Sequence, residues 1–135
     1  MVSDLLRTSN ANSQKRPLVV VVDDNVDAAD SLKTLLQLHG CQVYAAFDGQ
    51  AGLEAIKVLR PQLVIADLNM PKLDGRELVA LARRIEPRID ATFVCLSAAP
   101  RSLEETACLQ AGFDAYLQKP LTVEALRVLI GAASG

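Results

Sequence analysis

The sequence predicts an α/β protein with a doubly wound parallel sheet of five strands and helices on both of its faces. Five short apolar runs alternate with segments in which apolar residues recur at helical spacing. This alternation is typical of strand–helix–strand units, in which the strands are parallel and the helices lie outside. With 135 residues, the chain has the length of one domain and can bury one core without disulfides or a structural metal.

Five strands are predicted, and they differ in composition. They are Leu18–Val22, Gln42–Ala46, Leu63–Ala66, Thr92–Leu96 and Ala115–Gln118. The first is a continuous β-branched run, which is typical of a strand buried on both faces of the sheet. The second contains polar residues and is predicted to be weaker.

The first two helices have clear beginnings and ends. Asn25 can cap the first helix, whose apolar face continues until Gly40 stops it. Asp48 opens the second helix, which Pro61 ends. The residues predicted to face inward in the second helix are Ala51, Ala55, Ile56 and Leu59.

The last three helices differ in how many apolar residues they carry. The third helix is marked by Leu78, Val79, Leu81, Ala82 and Ile85. Pro87 closes it. The fourth helix, Ser102–Gln110, has few large apolar residues and is predicted to be the least firmly packed. Thr122 caps the fifth helix, which carries Leu126, Leu129 and Ile130.

Composition argues against several classes of function. Fourteen basic and sixteen acidic residues give a formal net charge of -2, which offers no basic face for nucleic acid. The basic stretch of Arg83, Arg84 and Arg88 is predicted to be a solvated surface. No apolar run approaches the ~20 residues of a membrane helix. The three cysteines form no CxxC pair and fit a reducing compartment, so we expect a cytoplasmic protein without membrane contact.

The first sixteen residues are predicted to be a flexible tail. They are polar, rich in Ser, Asn and Gln, and show no periodicity. They also lack the apolar core of a signal peptide. We therefore place the folded domain at residues 17–133.

The side chains that can carry chemistry stand where the predicted strands end. Asp23 and Asp24 close the first strand, Asp67 the third, Ser97 the fourth and Lys119 the fifth. In parallel α/β sheets, ligands bind beyond the carboxyl ends of the strands, where the strand order reverses. The positions of these five residues therefore predict a single site.

The acidic residues predict a metal site beside a nucleophile. Asp23 and Asp24 point in different directions, so one can touch a metal while the other holds a water, and hard oxygen ligands suit Mg²⁺ or Mn²⁺. Asp67 can attack a phosphoryl group, and its crowding with the other acids calls for a cation. Asn69 can add its backbone carbonyl as a ligand. Taken singly, these residues also fit ordinary roles as helix-capping or turn residues.

A hydroxyl and a cation are predicted to face an anion. Ser97 can donate to a phosphate oxygen, and Lys119 can pair with the Asp carboxylate and then with the phosphate. Pro120 can form a cis peptide that fixes the Lys119 backbone. Tyr116 has an apolar body and a polar tip that can sit in or out of a crevice. Singly, a loop serine, a solvated lysine and an edge-strand aromatic are the ordinary alternatives.

In order and spacing, these motifs resemble the receiver domain of two-component response regulators. The matching segments are Val22–Asn25, Asp67–Gly75, Ser97–Ala98 and Asp114–Pro120. The resemblance covers Leu18 to about Ile130. It implies the flavodoxin-like strand order 2-1-3-4-5, with five flanking helices.

The resemblance also implies a function in bacterial two-component signalling. Asp67 would accept a phosphoryl group from a phosphohistidine on a histidine kinase or a histidine phosphotransfer protein. Mg²⁺ would be held by Asp24, Asp67 and the Asn69 carbonyl, with Asp23 acting through a water. The domain would catalyse its own phosphorylation and dephosphorylation, without turnover of an independent substrate.

The same resemblance implies a switch. Lys119 and Ser97 would bind the phosphoryl oxygens. Ser97 would shift toward the phosphate and Tyr116 would turn inward. The fourth helix, fifth strand and fifth helix would then present a changed face to an unknown downstream protein.

Other interpretations predict different residues. A receiver-like interaction module that is never phosphorylated usually lacks an acid or the lysine, whereas both are present here. An aspartate-nucleophile phosphatase would carry a second Asp at the position of Asn69. A flavin carrier would want a phosphate loop after the first strand, where Asp23 and Asp24 stand. Both a stand-alone receiver and one from a hybrid kinase fit the chain, and the Met1 start favours the former.

Overall fold

A computed structural model describes residues 16–134 and shows the predicted alternation of strands and helices. The strands are β1 (Leu18–Val22), β2 (Gln42–Ala46), β3 (Leu63–Asp67), β4 (Thr92–Ser97) and β5 (Ala115–Gln118). The helices are α1 (Val26–Leu38), α2 (Gly49–Leu59), α3 (Gly75–Ala82), α4 (Arg101–Ala111) and α5 (Val123–Ser134). The predicted tail lies outside the described residues, apart from Arg16.

The five strands form one parallel sheet in the order β2-β1-β3-β4-β5. This confirms the doubly wound architecture. After β1 the chain moves to one side of the sheet, and after β3 it moves to the other, so the order reverses between these two strands. β3 and β4 each run one residue further than predicted, which makes Asp67 and Ser97 the last residues of their strands.

The apolar core lies in two layers, one on each face of the sheet. α1 and α5 cover one face with Leu32, Leu36, Leu126 and Leu129. α2, α3 and α4 cover the other face with Ile56, Leu78, Val79 and Cys108. None of the helices that the structure describes is long and apolar enough to cross a membrane.

The predicted inward face of α2 is half wrong. Ala55 and Ile56 are buried, whereas Ala51 is exposed and Leu59 keeps 37% of its surface exposed. The helix instead turns Gly52 toward the sheet, where an added β-carbon would lie 2.7 Å from a methyl group of Val22. This close approach uses the absence of a side chain, which a search for apolar residues does not detect.

Arg83 is exposed, as predicted for this basic stretch, but its side chain is also held in a network. Its guanidinium donates to the carbonyl of Gly112 and pairs with Asp114 at 3.0 Å. It also lies 4.4 Å from the centre of the Phe93 ring. Arg83 thus joins the end of α3 to the turn between α4 and β5.

Among the residues whose burial is described, helix α4 has the fewest buried residues of the five helices, in agreement with the prediction from its composition. Of its eleven residues, all of them described, Cys108 alone is buried. Leu103 and Leu109 are 74% and 45% exposed. The Cys108 thiol lies 3.2 Å from the thiol of Cys95 in β4, and both are free cysteines.

We expect the thiols to resist alkylation while the protein is folded. Burial raises the pKa of Cys41, Cys95 and Cys108, and the thiolate is the form that reacts. Mass spectrometry after iodoacetamide treatment should show no label on these residues in the native protein and full label in denaturant. Native labelling of Cys95 or Cys108 at the rate of a free peptide thiol would contradict the described packing of α4.

Candidate functional site

Charged side chains from three strand ends meet at one edge of the sheet. One carboxylate oxygen from each of Asp23, Asp24 and Asp67 lies within 4.8 Å of the other two. Lys119, which follows β5, has its ammonium nitrogen 3.1 Å from Asp23 Oδ2. Its backbone N–H also donates to the Ser97 carbonyl at 2.7 Å, which joins the ends of β4 and β5. The structure therefore brings the predicted acids and lysine into one cluster.

Asp23 is the buried member of this cluster. It is 5% exposed, and each of its oxygens has a partner. Oδ2 pairs with Lys119, and Oδ1 accepts the backbone N–H of Asn25 at 3.0 Å. A buried carboxylate needs such partners to remain charged. The Lys119–Pro120 peptide bond that carries the lysine is cis.

Asp67 is half-buried and crowded by charge. Burial raises the pKa of its carboxyl above the ordinary value, the Lys119 cation opposes that shift, and the charges on Asp23 and Asp24 add to it. A divalent cation would offset this repulsion. Because all three side chains offer hard oxygen ligands, the donor set fits Mg²⁺ or Mn²⁺.

The loop after β3 is anchored on both sides of Asn69. Leu68 and Met70 are buried at 1% and 7% exposure, whereas Asn69 is exposed between them. The Asn69 N–H lies 3.5 Å from Asp67 Oδ1, which places this residue at the rim of the acidic cluster. The Gly75 N–H closes the loop by donating to the Leu68 carbonyl.

Gly75 is more than a turn residue, because α3 begins against the backbone of the site. An added β-carbon would lie 2.5 Å from the carbonyl oxygen of Asp67. We expect Gly75→Ala to lower the free energy of unfolding by about 2–3 kcal/mol, as overpacking does, and to displace Asp67.

The matched control for Gly75 is Gly131 in α5, where an added β-carbon meets nothing within 4 Å. Gly131→Ala should be stabilising by up to about 1 kcal/mol, since alanine is the better helix former. Urea unfolding of both variants tests this. Equal stability of the two variants would mean that α3 does not approach Asp67 so closely.

Ser97 and Tyr116 are both buried and both bonded near the start of α4. The Ser97 hydroxyl, 1% exposed, donates to Glu104 Oε2 at 2.9 Å and accepts the N–H of Ala99 at 3.1 Å. The Tyr116 hydroxyl donates to the carbonyl of Ala99. Tyr116 is 2% exposed, so its ring lies inward although β5 is an edge strand.

Glu104 is the residue that sequence reasoning missed. It stands in the first turn of α4, seven residues after Ser97. An acid at a helix start has an ordinary explanation in the helix dipole, so its type alone did not mark it. Its distance along the chain from a strand-ending hydroxyl was the signal that could have found it.

An apolar groove of about 590 Å³ opens beside the acidic cluster. Asp23 and Lys119 are its charged lining residues. Its apolar lining consists of Ala28, Leu32, Leu35, Leu96, Pro120 and Leu121. The groove lies between α1 and the segment after β5, so a partner seated there would reach the cluster.

Comparison with known proteins finds a family model and relatives that agree with the resemblance described above. The family model described as the response regulator receiver domain matches residues 19–131. The transcriptional regulatory protein PrrA of Mycobacterium tuberculosis is 38% identical over 82% of the chain. The sensor histidine kinase GacS of Pseudomonas protegens is 34% identical over 96% of it. The chain spans only 46% of PrrA and 15% of GacS.

A solved structure agrees in fold. The receiver domain of the Francisella response regulator 1452 superposes with a TM-score of 0.79 and 29% identity. The match covers 88% of this chain and 97% of that domain.

Proposed function

The chain belongs to the family of response regulator receiver domains, and from this premise we propose that it is a phosphorylation switch whose phosphoryl acceptor is Asp67. The observation that carries the proposal is the position of Asp67. It is half-buried at the end of a central strand, where two other carboxylates and a lysine converge on it. Relatives that are regulators and a sensor histidine kinase support a place in two-component signalling.

The proposed reaction is transfer of a phosphoryl group from a phosphohistidine. A carboxylate oxygen of Asp67 attacks the phosphorus, and a P–O bond forms as the P–N bond to the donor imidazole breaks. The electron pair of that bond returns to the imidazole nitrogen, which takes a proton from water. The product is an acyl phosphate on Asp67. Lys119 favours the ionised nucleophile because its cation opposes the upward pKa shift of Asp67.

The residues present fit a divalent metal. Mg²⁺ would be held by Asp24, Asp67 and the Asn69 backbone carbonyl, with Asp23 acting through a water, and would neutralise charge on the carboxylates and the phosphoryl oxygens. Mn²⁺ offers the same ligand preferences. Lys119 supplies a fixed cation for one phosphoryl oxygen, and Ser97 supplies a hydroxyl donor for another.

The donor and the output would use different faces. A histidine kinase or histidine phosphotransfer protein would seat apolar side chains in the groove beside Asp23 and Lys119. The downstream target would bind the face formed by α4, β5 and α5, since α4 has a single buried residue and leaves most of its side chains available. This target would be a protein whose binding depends on the conformation of this face.

The binding of Mg²⁺ predicts a thermal shift. Wild-type protein should gain about 1.4 kcal/mol of stability when free Mg²⁺ exceeds its Kd roughly tenfold. Asp24→Asn should lose most of this gain. Asp30→Asn, which removes an exposed acid from α1, should keep it. An unchanged shift in Asp24→Asn would place the ion elsewhere.

The chemical form of the phosphoryl group tests the proposed function. Protein labelled by a phosphorylated phosphotransfer protein or by acetyl phosphate should lose its label in hydroxylamine, which cleaves acyl phosphates and spares serine esters. A hydroxylamine-resistant label would contradict the assignment of Asp67. A folded, Mg²⁺-binding protein that takes label from neither donor would instead favour a phosphorylation-independent interaction module.

A further inference from the structure

Helix α4 meets β4 through two side-chain hydrogen bonds. Glu104 accepts the Ser97 hydroxyl at 2.9 Å, and the Cys108 thiol lies 3.2 Å from the Cys95 thiol. Glu104 and Cys108 are four residues apart and share one helix face, while Ser97 and Cys95 are two apart and share one strand face. Because Cys108 is the one buried residue of α4, these two hydrogen bonds are specific links between an otherwise lightly buried helix and the sheet.

The Ser97 hydroxyl has a single proton, and that proton is already committed. It donates to Glu104, while the Ala99 N–H donates to its oxygen. A hydroxyl that gives its proton to one acceptor cannot give it to a second at the same time. Any phosphoryl oxygen that receives the Ser97 proton must therefore displace Glu104.

We propose that Glu104 is a positioning residue that holds the Ser97 hydroxyl on α4, and that a phosphoryl group on Asp67 competes with it for that proton. The proposal rests on the proposed function of Asp67. When the phosphoryl group takes this proton, one of the two side-chain hydrogen bonds between α4 and β4 breaks. The phosphorylation state of Asp67 is thereby coupled to the docking of α4 through one hydrogen bond.

Charge acts in the same direction as this competition. The carboxylates of Glu104 and Asp67 both raise the pKa of the buried Cys95 thiol, so the two charges act on the same small region. A phosphoryl group adds negative charge to Asp67 and increases its repulsion of Glu104. Glu104 stands in the first turn of α4, and Pro100 before the helix provides no side-chain cap. Backbone N–H groups in the first turn of a helix can donate to the released carboxylate.

The test uses beryllofluoride, a tetrahedral mimic of a phosphoryl group, with Mg²⁺ and the full chain. Fluorine NMR measures the apparent Kd. Glu104→Ala frees the Ser97 proton and should bind roughly tenfold more tightly, the equivalent of about 1.4 kcal/mol for the lost competing bond. Glu105→Ala is the matched control, because its carboxylate is the next along the helix and pairs with Arg101 rather than with Ser97.

A double-mutant cycle separates positioning from mere destabilisation. In the Ser97→Ala background, Glu104→Ala should tighten binding much less than it does with Ser97 present, because no proton remains to compete for and only the charge repulsion is relieved. Without beryllofluoride, amide hydrogen exchange in residues 101–111 should be faster in Glu104→Ala than in Glu105→Ala. This second readout does not depend on Asp67 chemistry.

The outcomes are distinguishable. Equal affinity of wild type, Glu104→Ala and Glu105→Ala would overturn the role of Glu104 and leave the proposed function intact. A tightening of the same size in the Ser97→Ala background would also overturn it. Wild-type protein that binds no beryllofluoride would contradict the proposed function, and the competition inferred for Glu104 would fall with it.

Discussion

At neutral pH, Asp67→Asn is expected to unfold at a higher temperature than the wild-type protein while taking up no phosphoryl group. Burial and two neighbouring acids raise the pKa of Asp67 in the folded state. The folded state therefore binds this proton more readily than the unfolded state does. The resulting stabilisation is present below the ordinary pKa of 3.8 and is lost as pH rises through the raised value. Asparagine carries no proton to lose at this position, so Asp67→Asn does not lose stability in this way as the pH rises.

The pH profile makes this prediction specific. Without Mg²⁺, Asp67→Asn should exceed the wild-type melting temperature by a few degrees at neutral pH. The difference should shrink as pH falls through the raised pKa of Asp67 and vanish below about pH 3.8. Thermal unfolding followed by circular dichroism measures this difference in melting temperature. The control variant Asp30→Asn should show no pH-dependent difference from wild type. A variant less stable than wild type at neutral pH would contradict the crowding of Asp67.

Lys119→Met should have the opposite effect on stability and a large effect on chemistry. It removes the cation from Asp23, whose side chain is 7% exposed, and leaves that carboxylate only the Asn25 N–H. Removing one partner of a buried pair costs about 3–5 kcal/mol. Because the Lys119 side chain is 30% exposed and water screens part of the charge, we expect about 2 kcal/mol.

The slower phosphorylation of Lys119→Met should be separable from its loss of stability. Removing a fixed electrostatic partner of the transition state typically slows a reaction about 100-fold or more. Adding Asp23→Asn should restore part of the stability measured by urea unfolding, because no unpaired carboxylate remains, but it should not restore phosphorylation. Lys57→Met, at an exposed position in α2, is the control. If Lys119→Met with Asp23→Asn were no more stable than Lys119→Met alone, this would contradict the pairing of Lys119 with Asp23.

Much of the fold could be predicted because its signals are local. Asn25, Asp48 and Thr122 cap their helices as the sequence predicted, each accepting a backbone N–H three residues on. The apolar runs became strands within one residue of their predicted ends. Parallel strands bring their carboxyl ends to one edge, so the gathering of Asp23, Asp67 and Lys119 followed from topology.

The features that could not be predicted depend on how elements approach one another. Gly52 and Gly75 look like ordinary glycines in the chain, and their role appears only where α2 meets Val22 and α3 meets Asp67. The partners of the exposed Arg83 could not be predicted, because they depend on where the turn at Gly112 lies. Glu104 has the ordinary explanation of an acid in a first helical turn, and its bond to Ser97 depends on how α4 approaches the sheet.

The intact mass of the protein tests most directly whether Asp67 is the phosphoryl acceptor. It is measured after incubation with acetyl phosphate, with and without Mg²⁺, for wild type and Asp67→Asn. We predict that the wild-type protein gains the mass of one phosphoryl group only when Mg²⁺ is present, and that Asp67→Asn gains none. Phosphorylation of Asp67→Asn at the wild-type rate would contradict the assignment of Asp67 as the acceptor.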